Sequence, residues 1–139
     1  MDALIKYKLL DIFFTTFHST LIIFNLFGWL WRKTRKINLI TLTLTGFSWF
    51  FIGIFYGIGY CPLTDWHWKI LVILGQNDLP TSYIQYLVIR VTGFSLSISL
   101  IELLTVLLYF IALVISIYCN FRGIIKRTLK FPFLKHMLF

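Results

Sequence analysis

Four cations in five residues, Arg32-Lys33-Thr34-Arg35-Lys36, sit between two apolar runs, at about 9–31 and 37–60. Each run is long enough to cross a hydrocarbon core of roughly 30 Å, which takes about 20 helical residues. A water-soluble chain of 139 residues has no interior large enough to hide them. Composition agrees: the chain is 59% hydrophobic and 13% charged, against roughly 45–50% and about 25% for an average soluble domain. A third run, at about 96–118, leads into a tail, 119–139, that carries Arg122, Lys126, Arg127, Lys130 and Lys135 and no acid. The expectation is one all-α integral membrane domain over 1–139 with three transmembrane helices.

The cations also orient it. Short loops rich in Lys and Arg stay in the cytoplasm, which claims both the 32–36 turn and the tail. The segment between, 61–95, sets only Lys69 and Arg90 against Asp65 and Asp78 and is read as the outer side. The N-terminus then lies outside and the C-terminus on the inner side of a cytoplasmic membrane. A fourth span at 83–95 is the alternative. It would bury Arg90 in lipid and export the basic tail, each unfavourable by a few kcal/mol. Lys6 and Lys8 before an apolar stretch resemble a signal peptide. However, Asp11, His18 and Asn25 interrupt that stretch, and no small-residue cleavage site precedes Trp29-Leu30-Trp31, so it is read as an uncleaved span. The net charge of +8 is spent on topology, and nucleic acid is not an expected partner. Expected partners are the bilayer, other membrane proteins or a second copy.

Within 61–95, Thr64-Asp65 reads as the cap of a short helix from Trp66, and Gly75 to Pro80 as a turn. Ser82 with Gln85 forms a capping box for a second short helix, 83–91, closed by Thr92-Gly93. Both short helices are expected flat in the outer interface, apolar sides down. The aromatic belt supports this: Tyr56, Tyr60, Trp66, Trp68, Tyr83 and Tyr86 fall near the outer boundary, and Trp29, Trp31 and Tyr118 near the inner one. The tail, with Phe121, Phe131, Phe133 and Phe139 among its cations, suits an anionic cytoplasmic leaflet.

Polar residues inside the spans mark candidate sites. Asp11, His18 and Asn25 are spaced by seven, nearly two turns, and share one face with Thr15. Glu102, Thr105, Tyr109, Ala112 and Ser116 share a face of the third span, and Asn38, Thr41, Thr45 and Ser48 one of the second. Ionisable groups in hydrocarbon usually face the bundle interior, whereas Ser, Thr and Asn there commonly serve as packing contacts. Gly53 and Gly57 form a G-x-x-x-G pair that lets another helix approach. Asp11, His18, Asn25, Glu102 and Arg90 are the candidates for a ligand or proton site. The outer loop adds Cys61, Asp65, Trp66, His67 and Trp68.

No hydrolase motif, P-loop, dinucleotide fingerprint or zincin helix is present. Cys61, Asp65 and His67 lack a recognised metal spacing. Bis-His haem ligation would need a second mid-membrane His beside His18, so no cofactor or metal is implied. Cys61 and Cys119 fall at opposite membrane boundaries and form no disulfide within the chain.

The run Cys61-Pro62-Leu63-Thr64 after an aromatic, Gly-rich helix, with His18 in the first helix, resembles an uncharacterised family of bacterial membrane proteins, domain of unknown function 2784. The likeness covers about residues 10–120 and is closest to a Bacteroidetes-type branch. Phe24 to Trp29, Thr34 to Lys36, Ser48-Trp49, Gly57 to Pro62, Thr64 to Trp66, and Asp78-Leu79-Pro80 through Tyr83-Ile84 carry it. Many members have a second His just after the basic turn, where this chain has Asn38. The resemblance implies topology and brings no activity. The residues are read as an accessory or interaction subunit of an envelope complex, without catalysis of its own. The alternative is a membrane-embedded site for a quinone, a lipid headgroup or a proton, lined by Asp11, His18 and Glu102.

Overall fold

The computed structural model describes residues 2–129, with backbone alone at 123–125 and 127–129. Its regular structure is α1 Ala3–Phe27, α2 Arg35–Gly46, a π-helical segment Phe47–Ile52, α3 Gly53–Tyr56, α4 Pro62–Ile73, α5 Tyr83–Thr92 and α6 Ile98–Leu129. No strand occurs among the described residues. Among the described residues three helices are long and apolar enough to cross a membrane: Ala3–Phe27, Arg35–Tyr56 and Ile98–Arg122. Helices suit that role because each satisfies its own backbone hydrogen bonds where no water can. Burial is inverted relative to a soluble protein. The buried positions of the spans include His18, Asn25, Asn38 and Ser116, while Ile54 and Phe55 are each 75% exposed. The apolar surface therefore faces outward, as lipid contact requires.

Span limits differ from the expected 9–31, 37–60 and 96–118 for local reasons. α1 stops at Phe27 because the next residues build a tight turn. Trp29 Nε1 donates to Leu26 O at 2.6 Å, and Thr34 Oγ1 donates to Gly28 O at 2.7 Å. Gly28 is needed there, since a Cβ would meet Phe24 O and the Asn38 amide. At the far end nothing breaks α6 after Tyr118, and the helix continues to Leu129. The first part of the expected separate tail is thus an extension of the third span. Lys130, Phe131, Phe133, Lys135 and Phe139 lie outside the described residues.

Near the basic turn, polar side chains join the three spans. Asn38, fully buried, donates through Nδ2 to Phe24 O at 2.7 Å and Asn25 O at 3.2 Å. Its Oδ1 accepts from Ser116 Oγ at 2.8 Å. One turn further, Tyr109 packs with Leu42 and Ala112 and donates to Leu42 O at 2.9 Å, its hydroxyl lying against Gly46.

The π segment then redirects the chain. Gly53 N–H reaches back five residues to Ser48 O, so Trp49 O loses its helical donor and accepts from Gly59 N at 3.1 Å. Ser48 Oγ donates to Tyr60 O at 2.8 Å. The loop after α3 is thereby folded back along its own helix. Gly53 and Gly57 serve this turn, whereas the sequence suggested a face for another helix. A Cβ on Gly53 would lie 3.1 Å from Ile58 Cα, and Gly57 has φ 110°.

Because the loop returns, α4 starts deep in the bundle. Cys61 caps it and Pro62 opens it, four residues before the expected start at Trp66. Cys61 meets His18, His67 meets Asp11 and Phe14, and Leu74 shares a groove with Leu4, Lys8 and Ile12. These pairings run antiparallel: α4 lies lengthwise against the N-terminal half of α1 instead of flat beside the bundle. α5 begins and ends as expected. Ser82 Oγ accepts from Gln85 N at 3.4 Å, and Gly93 closes the helix at φ 74°. Tyr83 and Tyr86 of α5 and Leu71 of α4 form a second buried cluster.

Gly46→Ala places a methyl group on the Tyr109 hydroxyl. It should lower stability by about 1–3 kcal/mol, read as a lower thermal unfolding midpoint in mild detergent. Adding Tyr109→Phe should recover part of the loss, because the obstructing oxygen is gone.

Candidate functional site

The seven-residue stripe on α1 does face inward, but its members serve two different places. Asn25 belongs to the polar junction near the basic turn, where its Nδ2 donates to Thr45 Oγ1 at 3.0 Å. Asp11 and His18 belong to a cluster with α4 and α5. α4 contributes His67 because Cys61 and Pro62 set its start. α5 contributes Tyr83, Tyr86 and Arg90, which fall at i, i+3 and i+7 on one helical face.

The Asp11 carboxylate is the hub. Arg90 grips it bidentately, Nη1 to Oδ1 at 2.8 Å and Nη2 to Oδ2 at 3.1 Å. His67 Nε2 lies 2.8 Å from the same Oδ1, and Thr15 Oγ1 donates to it at 3.3 Å. Behind His67, its Nδ1 lies 3.0 Å from Tyr83 Oη. A carboxylate only accepts, so Nε2 carries the hydrogen, Nδ1 is the acceptor, and the Tyr83 hydroxyl donates. The result is a directed chain, Tyr83 to His67 to Asp11. Exposure grades along it: the His67 side chain is 0% exposed, Asp11 14% and Arg90 36%. Tyr86 Oη accepts from Arg90 Nη1 at 2.6 Å.

Burial pushes the His67 imidazole below its ordinary range, against the opposing pull of Asp11. Burial also raises Tyr83 and Tyr86. Hydrogen bonding to Asp11 is the main cause that raises Arg90. At neutral pH the chain therefore holds a neutral His67, protonated tyrosines and a charged guanidinium.

Aromatic rings enclose this chain. Phe14 stacks on His67 with centroids 5.7 Å apart, Trp68 stacks on Tyr83 at 5.3 Å, and Tyr83 stacks on His18 at 3.9 Å. On its other side Asp11 forms part of the wall of an open groove of about 590 Å³. Lys8, Gln76 and Arg90 supply polar groups there, and Leu4, Ile12 and Leu74 an apolar flank.

Of the residues singled out in the sequence, Asp11, His18, Cys61, His67, Trp68 and Arg90 are thus brought together. Glu102 is not among them. It is exposed on α6 without a hydrogen bond or ion pair among the described residues, while its neighbour Ile101 is buried. Asp65 pairs at the surface with Lys69 at 3.2 Å, and Trp66 is 53% exposed. Tyr83 and Tyr86 had been assigned only to the aromatic belt. Their spacing with Arg90 was the signal that could have placed them in the site. Among the described residues no three His, Cys, Asp or Glu side chains converge to hold a metal.

The His67 shift sets a pH dependence. Below about pH 6.5 the unfolded chain takes up a proton that folded His67 resists, so this contribution to stability is complete above that pH and falls with acidification. Unfolding midpoints measured from pH 8 to pH 5 should decline, and His67→Phe should decline less steeply.

A family model described as Protein of Unknown function (DUF2784) matches residues 8–121. No curated protein and no solved structure matches the chain. With that stretch matched, the chain, with its three helices long and apolar enough to cross a membrane, belongs to the DUF2784 family.

Proposed function

We propose that this protein is a membrane-embedded small-ligand site that binds the head of an amphiphile in the Asp11 groove and exchanges a proton with it. The observation that carries the reading is His67, fully buried and bonded at both ring nitrogens between Asp11 on the groove wall and Tyr83 inside. A carboxylate and an imidazole lent to packing alone would be a costly choice in this setting. A chain of alternating donors and acceptors is what proton transfer between a groove and an interior requires. The groove favours a ligand with an oxygen-bearing head and an apolar tail, because Lys8, Gln76 and Arg90 donate while Leu4, Ile12 and Leu74 flank them. A quinone head satisfies both demands, accepting hydrogen bonds as a carbonyl and taking up a proton on reduction.

The cation distribution supports an inner-membrane location with the N-terminus outside. The groove, near the start of α1, then opens on the outer side. The accessory-subunit reading drew on the Gly53 and Gly57 face, the aromatic outer helices and the Phe/Lys tail as contact surfaces, and the return loop of this chain uses the two glycines.

Titration of the detergent-solubilised protein with a short-chain quinone should quench tryptophan fluorescence saturably. Asp11→Asn and His67→Phe should each weaken binding by about tenfold, or roughly 1.4 kcal/mol, with helical content unchanged by circular dichroism. Absence of saturation in the wild type, or variants that bind as well as it does, would overturn the reading. Competition by a short-chain phospholipid, with no response to quinone, would reassign the groove to a lipid headgroup.

A further inference from the structure

A second pair of groups lies beneath the Asp11 chain and takes no part in it. Cys61, the cap of α4, and His18, in the middle of α1, face each other with Sγ 4.0 Å from Nε2. His18 is only 8% exposed, and its Nδ1 has no hydrogen-bond partner among the described residues. The Tyr83 ring, stacked on it, fixes the plane of the imidazole. Buried polar groups are normally bonded. Here one ring nitrogen is bare, and the other meets only a thiol, a weak donor, at the long limit of contact.

We propose that Cys61 Sγ and His18 Nε2 form a two-coordinate site for a soft monovalent cation, Cu(I) or its analogue Ag(I). Three observations select that class. The first is donor chemistry: thiolate is a soft ligand that favours Cu(I), and neutral imidazole also suits copper. The second is separation. With zinc-like metal–sulfur and metal–nitrogen bonds of about 2.3 and 2.0 Å, the two donors lie roughly 3.5 Å apart at a tetrahedral angle and roughly 4.3 Å apart on a straight line. The 4.0 Å found here requires a wide angle, which a low-coordinate monovalent ion prefers. It also agrees with the lack of a third His, Cys, Asp or Glu around the pair among the described residues. The third is charge. A thiolate and a monovalent cation sum to zero, so the occupied site buries no net charge, whereas a divalent ion would leave one uncompensated in the bundle.

Binding is a proton exchange: the Cys61 thiol releases its proton to solvent, and the sulfur–metal bond replaces the sulfur–hydrogen bond with no change in oxidation state. The inference does not depend on the quinone reading, since that groove and this pair share no donor atom.

The test uses the full chain, purified in mild detergent, with Cys119→Ser as background to remove the other cysteine. Competition against a chromophoric Cu(I) chelator should show one Cu(I) per chain. Cys61→Ser and His18→Gln should each weaken binding more than about tenfold. X-ray absorption of the loaded background protein should show two-coordinate Cu(I) with one sulfur and one nitrogen donor. That measurement keeps the proposal falsifiable if a His18 variant fails to fold. It is overturned if the background protein retains no Cu(I), if either variant binds as the background does, or if the spectrum reports three or four ligands.

Discussion

One carbonyl oxygen, that of Trp49, decides how the chain between the second and third spans is arranged. In an uninterrupted α-helix it would accept from Gly53 N–H, and the helix would leave the bilayer in a straight line. The π turn diverts that donor to Ser48 O. An unpaired carbonyl is costly where water is scarce, and Trp49 O accepts from Gly59 N–H at 3.1 Å. The loop must then return along its own helix, Cys61 is delivered beside His18, and α4 climbs α1 in antiparallel register. Functional features often gather at such π interruptions. Here the mechanical reason is visible, because without the return His67 would not reach Asp11.

The same economy governs the polar groups. Near the basic turn Asn38 satisfies both ends of its amide, drawing α1 and α6 onto α2. Such bonds are modest, roughly 0.6 kcal/mol on average in membrane bundles, yet no competing water weakens their direction. In the α4–α5 cluster the arrangement is less economical. Asp11 serves Arg90, His67 and Thr15 together, and His67 is held neutral at full burial. Hydrophobic residues of similar volume would pack there without the desolvation cost. That contrast separates a polar junction that joins helices from one suited to ligand chemistry.

Much of the architecture was legible because it depends on local composition. The spans, the Ser82 cap and the Gly93 stop each need only a few neighbouring residues. Helical spacing correctly turned Asp11, His18 and Asn25 inward, and it failed for Glu102. Tyr109, Ala112 and Ser116 are buried, but the inward series continues through Thr105 to Ile101. One residue of offset is about 100° of rotation, enough to turn a carboxylate out of the bundle. Spacing shows which residues share a face, and the edge of that face is set by packing. Gly53 and Gly57 show the complementary ambiguity, since a small residue every fourth position suits an approaching helix and a returning loop equally well.

By itself the sequence determined that this chain has three stretches long and apolar enough to cross a membrane as helices, and that several costly polar groups on them share faces. Both follow from the free energy of placing side chains and backbone in hydrocarbon, which is additive and local. The tertiary structure alone decided which of those groups meet. Asp11 with His67, Tyr83 with His18, and Cys61 with His18 are joined across 56, 65 and 43 residues of chain. Those meetings follow the return of the loop, which Gly59 N–H to Trp49 O and Ser48 Oγ to Tyr60 O hold in place, and no pattern of hydropathy encodes such pairings.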